Sequence, residues 1–285
     1  MFLIIGYIIV LLASFGTYSL HGNLATLWIP AEYVAIIGLA IGGFVAGNTI
    51  PVIKATLRSI PSLFKGSRYN KVLYADLLAL LFETLSKVRK EGLMSIENDV
   101  EDPHTSPIFS KYPEISNNHH VMEFMTDYLR MMVGGNLNAL ELENLMDLEI
   151  ETHHHEAMVP SNAFRTVADA LPAYGIVIAV MGVINVMGSV GEPPPILGRM
   201  IGGALVGTFL GVLLAYGFVG PVGTLLGQKA DESTKIYEVI KVVLLASMSG
   251  YAPQVAIEFG RKVLYSKDRP SFLELEEDLK SRKGR

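Results

Sequence analysis

Residues 200–226 read MIGGALVGTFLGVLLAYGFVGPVGTLL, 27 positions without one Asp, Glu, Lys, Arg or His. The hydrocarbon core of a bilayer is about 30 Å thick and takes about 20 largely apolar residues as helix. This stretch is long enough to cross it. Working outward, residues 170–188 form a second such run, divided from the first by Gly191-Glu192-Pro193-Pro194-Pro195, which cannot be helical throughout. Residues 33–52 and 2–20 form two more. The run at the start has no positively charged flank before it, so a cleaved signal peptide is the weaker reading. The expectation is an all-α, polytopic membrane protein with four transmembrane helices.

The charge distribution agrees. Only 18% of the 285 residues are charged and 50% are hydrophobic, with mean hydropathy +0.38, where a soluble domain carries about 25% charge. Residues 1–52 hold a single charged side chain, Glu32, and residues 170–227 hold only Glu192 and Arg199. By contrast, residues 53–169 carry 11 basic and 17 acidic residues and residues 228–285 carry 11 and 9. The chain therefore divides into helices 1 and 2 (1–52), a helical loop domain (53–169), helices 3 and 4 (170–227) and a C-terminal helical region (228–285). A net charge of −5 gives no basic footprint for nucleic acid. The absence of cysteine excludes disulfides, thiolate metal sites and a cysteine nucleophile.

Orientation follows from basic residues, which stay on the cytoplasmic side. Lys54, Arg58, Lys65, Arg68 and Lys71 follow the second run, and Lys229, Lys235 and Lys241 follow the fourth, whereas the linker at 20–32 has none. Both termini and the large loop are expected in the cytoplasm. Within that loop Leu73, Leu77, Leu78, Leu81, Leu85 and Val88 recur at helical spacing over 72–90, and Gly92 stands at a C-cap. This predicts one amphipathic helix. Residues 121–133 and 137–149 repeat the pattern around a break at Gly134-Gly135-Asn136, and residues 271–280 predict a short acidic helix. No segment shows sustained strand alternation.

Small residues are spaced for close helix contact in lipid: Gly38 with Gly42, Gly43 with Gly47, Gly175 with Ala179, and Gly203, Gly207 and Gly211 in one line. The last set predicts a tight contact with the third span or with a partner. The interiors of the four runs hold no ionisable side chain, so an ion crossing here needs a titrating group from another chain. Pro221, behind two glycines, should loosen the fourth helix. Pro172 follows Asp169, an N-cap candidate that would put the proline in a first turn. Thr208 has two readings, a bond back to the Ala204 carbonyl, which is the commoner, or a place facing a water-lined path. His153-His154-His155 point about 100° apart on a helix and do not converge on a metal as an i, i+4 pair does, and His119-His120 fare no better. Neither a phosphate loop, nor a nucleophile elbow, nor HExxH spacing is present, so there are no catalytic, cofactor-binding or metal candidates and an enzyme is not expected.

Four stretches carry a resemblance: Pro30-Ala31-Glu32; Leu171-Pro172-Ala173-Tyr174-Gly175-Ile176-Val177; Val206-Gly207-Thr208-Phe209-Leu210-Gly211 with Tyr216-Gly217-Phe218; and Gly250-Tyr251-Ala252-Pro253 with Glu258-Phe259-Gly260-Arg261-Lys262. Together with the span arrangement they resemble the MotA family of flagellar motor stator subunits, over residues 1–277. The resemblance implies a multi-pass inner-membrane protein that self-associates as a ring around MotB, a single-span partner supplying the ion-binding aspartate, and that converts proton flow into torque on the rotor protein FliG. It implies coupling roles for Pro172 and Pro221, rotor contacts for Arg89 and Glu97, and a place in the channel region for Thr208. Ala179 stands where sodium-driven relatives carry threonine, which implies the proton as coupling ion and no other cofactor. The three consecutive histidines depart from the family pattern. Competing readings are an ExbB/TolQ-like energiser, expected to have three spans, and a non-conducting membrane-anchored helical scaffold.

Overall fold

A computed structural model describes residues 2–135 and 138–283. Among them every regular element is helical. The elements used below are α1 (Phe2–Ser19), α2 (Pro30–Ala46), α3 (Ile50–Ser59), α4 (Lys71–Glu91), α5 (His119–Gly134), α6 (Ala139–Met187), α7 (Pro194–Met248), α8 (Pro253–Val263) and α9 (Phe272–Lys283). The chain forms two compact units, residues 1–66 with 157–229 and residues 67–156 with 230–285.

In the first unit α1, α6 and α7 are long and apolar enough to cross a membrane; α2, at 17 residues, is apolar but shorter. Its helix stops at Ala46 rather than running to Val52, because Gly47 and Asn48 interrupt it and Pro51 sits in the first turn of α3, where its missing N–H costs little. A small core of Ile36, Leu171, Ile178, Val206, Leu210 and Ala215 joins α2, α6 and α7. Leu63 packs with Val222 and Leu226 in a second cluster, and the Lys229 ammonium donates to the carbonyls of Ser62 and Lys65, closing the turn after α3.

Two sequence expectations change here. The helix expected at 137–149 and the third span are one element: α6 runs unbroken for 49 residues with Pro160 and Pro172 inside it. Pro172 is therefore not in a first turn, and Asp169 is not an N-cap. The expected break at Gly134-Gly135-Asn136 survives as the end of α5 at Gly134, with Gly135 at φ 66° in the left-handed region; Asn136 and Leu137 lie outside the described residues.

The second unit is built around α4. Asn70 accepts hydrogen bonds from the Val72 and Leu73 N–H groups, both at 3.0 Å, and Gly92 ends the helix at φ 87°, a conformation that suits glycine. The periodicity predicted one buried face, but Leu77, Leu78, Ala79, Leu80 and Leu81 are all 0% exposed. The middle of α4 is enclosed on every side, as for a helix at the centre of a core. Around it stand Phe124, Met125, Tyr128 and Leu129 of α5, Leu142 and Met146 of α6, Val239, Ile240, Val243 and Leu244 of α7, and Ala256 and Ile257 of α8.

Candidate functional site

The membrane unit's site grows from glycine. A Cβ on Gly175 would lie 2.7 Å from the Gly207 carbonyl oxygen and 3.2 Å from the Cα atoms of Thr208 and Gly211; one on Gly211 would lie 2.7 Å from the Leu171 carbonyl oxygen. One on Gly182 would lie 2.6 Å from the Ala204 Cβ. At Gly211, and at Gly207 through its carbonyl oxygen, the line of small residues on α7 thus meets α6, the first of the two partners the sequence left open, whereas a Cβ on Gly203 would face Ile29 at 3.1 Å. A Cβ on Gly38 or Gly42 would meet nothing within 4 Å among the described residues.

This close approach changes the reading of Thr208. Its hydroxyl donates across the seam to the Gly175 carbonyl, a long bond of 3.5 Å, rather than back to Ala204. Ala179, half-buried, lies one turn beyond Gly175 on α6. Beside Thr208 stands a group the sequence reading passed over. A Cβ on Gly207 would lie 2.9 Å from Oε2 of Glu32, and that oxygen is buried without a hydrogen-bond partner among the described residues. Glu32 occupies the first turn of α2, at the border of the span rather than in its interior. Being the only acid in residues 1–52 was the available signal.

Pro221 does not interrupt α7. The seven residues before Gly220 (Leu213–Val219) wind as a π-helix, whose wider turn accommodates the missing donor and the proline ring. Other groups take up the backbone carbonyls nearby: Tyr7 of α1 donates to Phe218 at 2.9 Å, Thr224 to Gly220 at 3.2 Å and buried Ser161 to Gly223 at 2.7 Å. Pro172 similarly withdraws the donor for the Ala168 carbonyl. Ala168 and Pro221 both line one cavity of 530 Å³, with Asp169, Tyr216, Thr224 and Gln228. Pro221 and Ala168, one turn before Pro172, thus border the same cavity; of its polar side chains the sequence pointed to Asp169, as an N-cap candidate, and to Tyr216, in a stretch that carries the resemblance, but not to Thr224 or Gln228.

In the other unit, Arg89 and Glu97 are exposed, and neither has an ion-pair partner among the described residues. Arg89 is in the last turn of α4, and Glu97 opens a short helix, Glu97–Glu101. What fixes them relative to each other is a buried carboxylate. Asp99, 4% exposed, accepts from the Lys87 ammonium at 2.7 Å and from the Ser106 hydroxyl at 2.6 Å. Ser106 in turn accepts from the Ile108 and Phe109 N–H groups. One residue type in many spacings would serve this role, so the sequence carries no signature of it.

His154 and His155 take local partners, Thr234 at 3.1 Å and Glu151 at 3.6 Å. His153 stacks on Tyr237 with ring centres 4.4 Å apart; burial, and secondly charge on His120, lower its basicity.

Residues 4–92 match a family model described as Motility protein A N-terminal, and residues 116–239 match the MotA/TolQ/ExbB proton channel family. The chain is 49% identical to Motility protein A of Escherichia coli over 285 residues, covering 100% of this chain and 97% of that one. It is also 49% identical to Motility protein A of Salmonella typhimurium, covering 99% and 96%. The solved structure of the flagellar MotAB stator complex from Bacillus subtilis is similar with TM-score 0.74 at 25% identity, over 93% of this chain and 96% of that chain.

Proposed function

We infer the function from one premise: this chain belongs to the motility protein A family. It is a stator subunit of the flagellar motor, a membrane component rather than an enzyme, which with MotB forms a proton channel and turns proton flow into torque. Several copies assemble with MotB in the inner membrane. We propose four spans, α1, α2 and the apolar parts of α6 and α7, with both termini and residues 53–169 and 228–285 in the cytoplasm. The basic residues after the second and fourth spans support that orientation.

The observation that carries the channel reading is that residues 170–187 of α6 and 200–226 of α7 hold no Asp, Glu, Lys, Arg or His where the two helices meet; the carboxylate nearest the seam, Glu32, stands at the border of α2 rather than in the interior of a span. No carboxylate of this chain lies in the interior of a span, and the one that binds the proton there belongs to the MotB helix. Neutralising that aspartate removes a charge whose burial in the membrane costs several kcal/mol, at least about 2.5 on insertion scales, so each protonation changes which packing of the partner helix is favoured. The Thr208 hydroxyl and the Gly175 carbonyl offer polar contacts at that seam, and Ala179 offers no cation-binding oxygen, which favours protons over sodium. The π stretch ahead of Pro221 and the donor that Pro172 withholds from α6 give the two helices a local place to respond. Arg89 and Glu97 then contact charged groups of FliG; exposed pairs worth about 0–1 kcal/mol can be made and broken at every step.

Proton flux into vesicles tests this. Flux is expected for the chain co-reconstituted with MotB, and not for the chain alone or with the partner aspartate changed to asparagine. Flux through the chain alone overturns the reading.

A further inference from the structure

At the start of α5 the side chains of His119, His120 and Glu123 face one another. Glu123 follows His119 by four residues and His120 by three, so it lies one turn along the helix between the two. Nδ1 of His119 is 3.3 Å from Oε2 of Glu123, the two imidazole centres are 5.9 Å apart, and one ligand atom from each of the three lies within 4.8 Å of the others. Consecutive histidines alone do not converge; the carboxylate one turn on supplies the point at which they do.

We propose that His119, His120 and Glu123 form a binding site for a divalent transition-metal cation of the zinc type. Bonds of about 2.0–2.2 Å from zinc to imidazole nitrogen and carboxylate oxygen place ligand atoms of a tetrahedral site about 3.3–3.5 Å apart. The His119–Glu123 pair already has that separation, and exposed side chains close the remainder by rotating. Two imidazoles and one carboxylate are a ligand set suited to zinc, copper or nickel, and exposure leaves the remaining coordination to water. The helix N-terminus disfavours any divalent cation, so binding rests on the two imidazole nitrogens, which favour zinc-type ions over magnesium or calcium. A second feature lies beside the turn: Nδ1 of His153 is buried and has no hydrogen-bond partner among the described residues, and the charge of His120 is felt there.

Zinc chloride titrated calorimetrically into the purified full-length chain in complex with its single-span partner tests the site near neutral pH. Loss of even an outer-shell partner costs about 10–100-fold in metal affinity, so a variant lacking two ligands, His120→Ala with Glu123→Gln, is expected to bind at least about tenfold more weakly. A His154→Ala, His155→Ala variant is expected to bind as the wild type does. Because the three ligands are exposed, the circular dichroism of the first variant should be unchanged. No zinc bound by the wild type, or equal binding by the His120/Glu123 variant, overturns the proposal.

Discussion

The two units of this chain hold their helices together by opposite means. Around α4 the contact is made by large side chains, with Leu77, Leu78, Leu80, Leu81, Phe109 and Ile115 all 0% exposed. Between α6 and α7 small residues let the helices close, with Gly175 and Gly211 against backbone and Gly207 against the Ile178 side chain. The difference follows from the solvent. In water, removing apolar surface drives association at about 25 cal/mol per Å², so bulk is favourable. In lipid a leucine gains nothing by leaving the acyl chains, and helices associate through close van der Waals contact and interhelical hydrogen bonds, which small residues permit.

The comparison is tested most severely at Gly175. In Gly175→Val the first added carbon already lies 2.7 Å from a carbonyl oxygen, so α6 and α7 must separate, and proton flux and assembly with MotB are expected to be lost. Gly38→Ala, with open space around it, should leave this chain's own packing unchanged. Flux retained in Gly175→Val breaks the account of the seam.

Next in size is Leu77→Ala. A buried Leu→Ala change costs about 2–5 kcal/mol, read from denaturation of the water-facing unit, and a cost under about 1 kcal/mol would mean that α4 is less central than its burial implies. Third comes Asp99→Ala, which strands the Lys87 ammonium and the Ser106 hydroxyl; the loss should be about 1–3 kcal/mol. It should also lower swimming speed at constant expression, because Glu97 loses its anchor. Normal swimming would separate the Lys87–Asp99 pair from torque.

A smaller effect is pH-dependent. His153 is held below the ordinary histidine value of 6.5 by burial and by charge on His120. Its neutral form therefore contributes stability that is complete above pH 6.5 and is lost as pH falls through its lowered folded value. His153→Phe should flatten the fall in melting temperature on acidification, and an unchanged slope removes His153 from that role. Smallest is Glu274, fully exposed, whose carboxyl is held at about 2 by Lys71 and then by the Ser271 cap. Its contribution to docking α9 is present above 4.5 and is lost as pH falls towards 2. Glu274→Gln should abolish that dependence in hydrogen exchange of α9.

The sequence by itself determined the helical class, the apolar stretches, the end of α4 at Gly92 and the glycine line on α7. These are properties of single helices, set by composition and period along the chain, and they can be read without knowing what lies opposite. Tertiary structure alone decided that the glycine line meets α6, that Thr208 donates across the seam to Gly175, and that the Glu32 carboxylate sits at Gly207. It likewise decided that α6 continues through Pro160 and Pro172, that a π-helix precedes Pro221, and that Asp99 anchors the turn bearing Glu97. Each of these depends on which atoms from distant parts of the chain come within a few ångströms, and a proline or a threonine has different partners according to what is packed beside it.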